Sequence, residues 1–223
     1  MQAEAVVFDL DGTLIDTEVV WDDVRRGLAR DAGLAWPEGA TQAMMGMSTG
    51  EWSTHMVEAV GLPVTQAEAA RLTIEGMVAH YRSGDLTLLP GALEAVRRMG
   101  AAYPIAIASS SPRILIDTFV EAMGLGDLLR VTVSTEEVDR GKPAPDGYLR
   151  ACELLGVDPG KAVAVEDAPN GIRSALNAGM TVVAIPPHFH PPSADLLART
   201  TVLEGLDELT PELIEAIGVR TSS

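Results

Sequence analysis

The chain has a single cysteine, Cys152, among 223 residues. No disulfide can form within it, and a reducing compartment, the cytoplasm, is expected. Basic residues are also scarce: 16 Lys and Arg stand against 32 Asp and Glu, a formal net charge of -16. A chain this negative repels phosphate backbones and anionic lipid, so neither a nucleic-acid nor a membrane partner is expected. No apolar run approaches the ~18–20 residues that span a bilayer. The start, Met1-Gln2-Ala3-Glu4, is acidic where a secretory signal would be basic, so no leader is expected. What is present is 47% hydrophobic and 22% charged residues, which excludes a disordered chain and suffices for one generous domain or a domain with an insert. The class that remains is an α/β enzyme or binding protein.

Short, nearly continuous apolar runs occur at Ala5–Leu10, Pro104–Ser109, Val131–Ser134, Ala162–Glu166 and Thr181–Ile185. Continuous runs suit strands buried on both faces of a parallel sheet. Helical patterns separate them at Gly91–Met99, Pro112–Met123, Pro145–Leu155 and Pro169–Ala178, with Gly100, Gly124, Gly156 and Gly179 as stop signals. This cadence predicts a doubly wound parallel α/β sheet. It breaks between the first two strands, where Glu18–Ala32, Thr49–Val60 and Gln66–Tyr81 read as helices. That stretch is too long for a simple crossover. The expected organisation is a core from residues 1–15 and 86–223, with a helical cap domain at 16–85 entered near Asp16 and left near Gly84-Asp85. The last residues, Thr221-Ser222-Ser223, are expected to fray.

Candidate chemistry falls at strand ends, where open parallel sheets bind ligands. The first strand runs into Asp9-Leu10-Asp11-Gly12-Thr13-Leu14. Asp-Gly is ordinarily a turn, yet Asp9 interrupts an apolar strand, and an unpaired buried carboxylate is costly. Ser109-Ser110-Ser111-Pro112 opens a helix and forms an anion cradle, with Ser111 as an ordinary N-cap and Ser109 left over. Lys142, in Gly141-Lys142-Pro143, is one of two lysines in the chain; a point charge on a flexible stem suits a phosphate or a buried carboxylate. The following proline excludes a P-loop. The fourth strand ends in Glu166-Asp167. Asp9, Asp11, Glu166 and Asp167 at one edge would repel by a few kcal/mol per close pair at an effective dielectric of ~20. A hard cation resolves this, and oxygen donors of this kind select Mg²⁺.

With these residues in place, the sequence resembles the haloacid dehalogenase-like hydrolase superfamily, in the branch of small sugar-phosphate phosphatases and β-phosphoglucomutase. Asp9-Leu10-Asp11-Gly12-Thr13-Leu14 is similar to its first motif, Ser109 to its second, Lys142 within Gly-Lys-Pro-Ala-Pro-Asp to its third, and Glu166-Asp167 to its fourth. The resemblance implies a Rossmann-like core with an inserted cap. It makes Asp9 the nucleophile that forms an aspartyl-phosphate, and Asp11 the general acid and then base, its backbone carbonyl on the metal. It places Mg²⁺ on Asp9, Asp11, Glu166 and Asp167. It gives Ser109, the Ser110 amide and Lys142 to the phosphoryl oxygens, and Gly12 and Thr13 to the turn that lets backbone amides approach them.

The cap should set specificity and exclude water. Where the mutase carries an arginine after a Gly-x-Ser segment, Gly46-Met47-Ser48 is followed by Thr49; where it carries a histidine early in the cap, Trp21 stands. Both changes favour hydrolysis of a small phosphate monoester over mutase chemistry, which is the alternative within the branch. A non-catalytic Mg²⁺- or phosphate-binding module is the alternative from another class. Strict dehalogenase chemistry needs neither the metal nor a second aspartate at Asp11. Trp21, Met47, Thr49 and Trp52 are candidate substrate contacts, although Met and Trp at helical spacing usually belong to a core. The expected partner is a small phosphorylated metabolite, and the expected state a monomer or a homodimer. His188 and His190, in a proline-rich loop, lack further zinc ligands nearby; His55, His80 and Cys152 read as packing or surface residues.

Overall fold

Strands form where the chain is apolar residue after residue. In the computed structural model, which describes residues 2–44, 47–84, 86–188 and 191–217, these strands are β1 (Ala5–Phe8), β2 (Ile105–Ser109), β3 (Val131–Ser134), β4 (Ala162–Glu166), β5 (Thr181–Ala184) and β6 (Thr201–Val202). The helices are α1 (Glu18–Asp31), α2 (Ala40–Met44), α3 (Thr49–Glu58), α4 (Gln66–Ser83), α5 (Ala92–Ala102), α6 (Arg113–Met123), α7 (Asp146–Leu155), α8 (Pro169–Asn177), α9 (Ala194–Leu197) and α10 (Pro211–Ile217). The chain falls into two compact units, Met1–Asp16 with Thr87–Ser223, and Thr17–Leu86.

The first unit is a doubly wound α/β core. Its six strands run parallel in the order β3-β2-β1-β4-β5-β6. Every residue of β1, β2, β4 and β5 is buried, as helices on both faces require. Ala5, Val7, Ala106, Ala108, Ala162 and Ala164 share one core with Tyr148, Ala151 and Cys152 of α7 and Ile172 and Ala175 of α8. Strand order reverses at β1, so the carboxyl ends of β1 and β4 flank the crevice where such sheets take ligands.

Local details depart from the sequence reading in three places. β1 ends at Phe8 because residues 10–15 close a tight turn, in which the amides of Leu14 and Ile15 both donate to the Leu10 carbonyl (2.8 and 3.2 Å). Gly100 does not stop its helix: α5 continues to Ala102, and a Cβ on Gly100 would sit 3.2 Å from both Ile105 and Leu128. That glycine therefore serves close packing. Gly124 and Gly156 do end α6 and α7 with φ of +61° and +71°, the left-handed region that favours glycine. β6, α2, α9 and α10 were not anticipated.

The second unit is all-helical. Ala29, Ala40, Met44, Trp52, Met56, Val60, Leu62 and Ala69 form its core. α3 starts with a capping box: Ser48 Oγ accepts from the Glu51 amide, and Glu51 accepts from the Ser48 amide at 2.8 Å. This is the S-x-x-E signature that opens many helices. α1 and α4 approach closely, since a Cβ on Gly76 would lie 2.6 Å from Val24. Gly46, the linker residue Asp85, His190 and Thr221-Ser222-Ser223 lie outside the described residues.

Candidate active site

β1, β4 and the loop after β3 each deliver one part of a charged cluster. Asp9 follows β1 directly and is fixed by its amide, which donates to the Val165 carbonyl at 2.9 Å. Glu166 is the last residue of β4, and Asp167 follows it. One oxygen from each of Asp9, Glu166 and Asp167 lies within 4.8 Å of the others, and all three residues are buried. Lys142, itself enclosed, donates to Asp9 Oδ1 at 2.5 Å and to Glu166 Oε1 at 2.6 Å. The same Oε1 accepts from the Tyr148 hydroxyl at 2.7 Å, while Oε2 accepts from the Asp167 amide at 3.2 Å. Asp167 Oδ1 accepts from Thr13 Oγ1 at 3.0 Å.

Asp11 takes a different direction. Its Oδ2 accepts from Ser111 Oγ at 2.6 Å and Ser109 Oγ at 3.3 Å. Four carboxylates therefore do not crowd one point as the sequence suggested; three do, and the Asp11 side chain is turned to the hydroxyls that open α6. Ser111 is not the side-chain cap of that helix, since Pro112 occupies the cap without a side-chain bond. Instead the Ser111 amide donates to Ser109 Oγ at 3.0 Å. Ser110 is exposed beside this pair.

Two glycines make the cluster possible. A side chain on Gly12 (φ +83°) would run into the Asp167 carboxylate, and one on Gly171 into the Glu166 carboxylate. The sequence singled out Gly12 for its turn, not for the room it leaves Asp167. Gly171, Tyr148 and Ser111 were not identified from sequence, although a glycine inside α8 costs helix stability unless something needs its space.

Electrostatics follow from this crowding. Carboxylates within 4.8 Å repel by about 3 kcal/mol or more per pair at an effective dielectric near 20. Burial pushes the Asp9 carboxyl well above the ordinary carboxylate range; Lys142 pulls it back, and Glu166 and Asp167 push it further. Burial and Glu166 raise Asp167 to about 7, against the Thr13 bond and Lys142. Burial alone would lower the Lys142 ammonium, but Asp9 and Glu166 hold it above its usual value. One ammonium thus faces three carboxylates, leaving a deficit of two positive charges. Hard oxygen donors with that deficit match a divalent cation.

The remaining predicted contacts belong to the helical unit. Trp21 is half-buried with its ring centroid 5.7 Å from that of Trp52, and Trp52 is a core residue. Thr49 is the half-buried first residue of α3. Cys152 is enclosed, and burial pushes its thiol up to about 11, as expected of an inert packing residue. His188 is exposed and is not part of the acidic cluster.

Comparison with known proteins agrees with this geometry. The model of the haloacid dehalogenase-like hydrolase family matches residues 3–179. The protein CbbY of Rhodobacter capsulatus is 33% identical over 199 residues, 85% of this chain and 88% of that protein. Hexitol phosphatase A of Escherichia coli (strain K12) is 36% identical over 186 residues, 83% and 84% of the two chains. The crystal structure of a CbbY variant from Rhodobacter sphaeroides in complex with xylulose-(1,5)bisphosphate superposes with a TM-score of 0.81 at 25% identity, covering 93% of this chain and 96% of that one. By family model, relatives and fold together, this chain belongs to the haloacid dehalogenase-like hydrolases.

Proposed function

We propose that this chain is a Mg²⁺-dependent phosphatase that hydrolyses a small phosphate monoester, a sugar phosphate or similar metabolite, through an aspartyl-phosphate on Asp9. The observation that carries the reading is the buried trio Asp9, Glu166 and Asp167 around the single ammonium of Lys142. Such a set is costly without a cation and has no structural purpose that well-packed apolar residues would not serve better. The named phosphatase among its relatives points to the same reaction class.

Asp9, Glu166 and Asp167, with the Asp11 backbone carbonyl, would hold the metal. When bound, Mg²⁺ offsets the carboxylate charge and draws electron density from the phosphoryl oxygens. The protein does the rest. Lys142 holds Asp9 Oδ1 and orients the carboxylate for attack on phosphorus. The Asp9 oxygen bonds to phosphorus as the ester oxygen leaves, and Asp11 supplies the proton that this alkoxide needs. Asp11 then takes a proton from a water, whose oxygen attacks the same phosphorus and releases Asp9. Ser111 and Ser109 fix the Asp11 carboxyl for both transfers. Ser109, the Ser110 amide, Gly12 and Thr13 frame the phosphoryl group, and Lys142 balances its charge.

The helical unit, residues 17–86, acts in this reading as the cap that selects substrate, with Trp21 and Thr49 as contacts. A small metabolite is the partner, the cytoplasm the compartment, and a monomer the working state. Release of inorganic phosphate across a panel of phosphorylated metabolites with Mg²⁺ tests the reading, with isomerisation of β-glucose phosphate followed in parallel. Hydrolysis without isomerisation supports it; isomerisation or complete inactivity overturns it.

A further inference from the structure

The acidic cluster receives one donor that carries no charge and that packing does not require. Tyr148, in the first turn of α7, is fully buried in the core of the sheet. Its hydroxyl donates to Glu166 Oε1 at 2.7 Å, the length of a strong bond to a carboxylate. Lys142 donates to the same oxygen at 2.6 Å, and its ammonium lies 5.1 Å from the centroid of the Tyr148 ring. One side chain thus touches both the carboxylate and the ammonium that faces it. Phenylalanine would fill the same space without a hydroxyl that needs a partner once buried. The hydroxyl therefore serves Glu166.

The two oxygens of Glu166 are unlike as a result. A carboxylate oxygen has two lone-pair sites, and Lys142 and Tyr148 fill those of Oε1. Oε2 accepts from the Asp167 and Ala168 amides at 3.2 and 3.4 Å, longer and weaker bonds. Oε2 is therefore the oxygen with acceptor strength left for a cation. The donors to Oε1 are themselves held. The loop between Lys142 and Tyr148 is pinned to α8, where Ser174 Oγ donates to the Ala144 carbonyl at 2.5 Å and Asn177 Nδ2 to the Pro143 carbonyl at 3.1 Å. α8 is also the helix whose Gly171 leaves room for the Glu166 carboxylate.

We propose that Tyr148 is a positioning residue of the cation site: together with Lys142 it locks Glu166 through Oε1 and so presents Oε2 to a divalent cation. The proposal rests on the reading above that Asp9, Glu166 and Asp167 take such a cation; it does not depend on which ester is hydrolysed. Hydrogen-bonding partners that orient a metal's ligands are typically worth 10–100-fold in metal affinity.

The test compares the parent with Tyr148→Phe, which removes the hydroxyl and keeps a ring beside Lys142. Mg²⁺ is titrated into each metal-free protein by calorimetry, and unfolding midpoints are measured without Mg²⁺ and at one fixed Mg²⁺ concentration. The Kd for Mg²⁺ should rise about tenfold or more in Tyr148→Phe, and the midpoint gain conferred by Mg²⁺ should shrink with it. A hydroxyl that only stabilised the fold would lower both midpoints alike and leave the Kd unchanged, and that result overturns the proposal. If the parent itself binds no Mg²⁺, the cation reading falls and this proposal with it; if parent and Tyr148→Phe bind Mg²⁺ equally well, this proposal alone falls. Should Tyr148→Phe not fold, carbon NMR of protein labelled at the tyrosine Cζ decides. The chain has three tyrosines, Tyr81, Tyr103 and Tyr148, so Tyr81→Phe and Tyr103→Phe assign the signals. That of Tyr148, next to the hydroxyl, should move on Mg²⁺ addition and saturate with the calorimetric Kd. A Tyr148 signal unmoved at saturation overturns the proposal.

Discussion

Gly171→Ala sets two physical effects against each other. Alanine in a helix interior is worth up to about 1 kcal/mol over glycine, so propensity alone predicts a more stable protein. The structure predicts the reverse. A methyl group at position 171 would overlap the Glu166 carboxylate, and although glutamate is flexible, this one is fully buried and tied by its bonds. To make room it must give up its bonds from Lys142 at 2.6 Å and Tyr148 at 2.7 Å. Each bond to a charged group is worth about 1.5–3 kcal/mol, so about 3–6 kcal/mol is lost against the ~1 kcal/mol gained from propensity. The expected net effect is a destabilisation of about 2–5 kcal/mol, with a raised Mg²⁺ requirement and reduced turnover. Urea unfolding with and without Mg²⁺, beside a Mg²⁺ titration of phosphate release, measures all three. A variant as stable as the parent, or more so, with unchanged Mg²⁺ dependence would refute the claim that α8 is pressed against the cluster.

Other expectations follow from the same cluster. Asp9→Asn should abolish turnover while leaving circular dichroism and the unfolding midpoint near those of the parent; retained activity would remove Asp9 as nucleophile. EDTA should silence the enzyme and Mg²⁺ restore it, and metal-independent phosphate release would contradict the charge deficit. Lys142→Met leaves buried carboxylates without their ammonium, and breaking a buried pair in this way costs about 3–5 kcal/mol; urea unfolding showing a loss below about 1 kcal/mol would mean that the ion pairs carry little weight. In metal-free protein, Asp167 is raised from 3.8 to about 7. The folded state then binds more protons than the unfolded one between these values, so this group's contribution to stability falls as pH rises through that window. About three pKa units at about 1.4 kcal/mol each give a loss of about 4 kcal/mol. Subtracting the pH dependence of Asp167→Asn from that of the parent isolates it, and a difference that is flat or rises with pH contradicts the crowding.

The sheet was readable because fully buried parallel strands are apolar at every position: β3 and β4 have the bounds that the sequence suggested, and β1, β2 and β5 differ only at their ends. The charged residues were readable for the complementary reason. A carboxylate such as Asp9 or Glu166 at the end of a buried strand contradicts its surroundings unless it has work to do. The elements that escaped carry too little pattern. β6 has two residues, α9 four, α2 five and α10 seven, shorter than the windows over which a hydrophobic period can be read. Gly171 and Tyr148 were missed because their parts depend on what lies opposite them in the fold, and a glycine or tyrosine in a helical stretch does not announce its neighbour. The direction of Asp11 belongs with these, since spacing alone gives no rotamer, and its carboxylate pairs with Ser111 across 100 positions of sequence.

The most direct test is covalent. The protein is mixed with Mg²⁺ and a substrate ester, quenched in acid during turnover, digested and weighed by mass spectrometry. The peptide that contains Asp9 should carry the mass of one phosphoryl group, and the Asp9→Asn protein should show none. Turnover with an unmodified Asp9 peptide throughout, or with the phosphoryl group on another residue, would contradict the account.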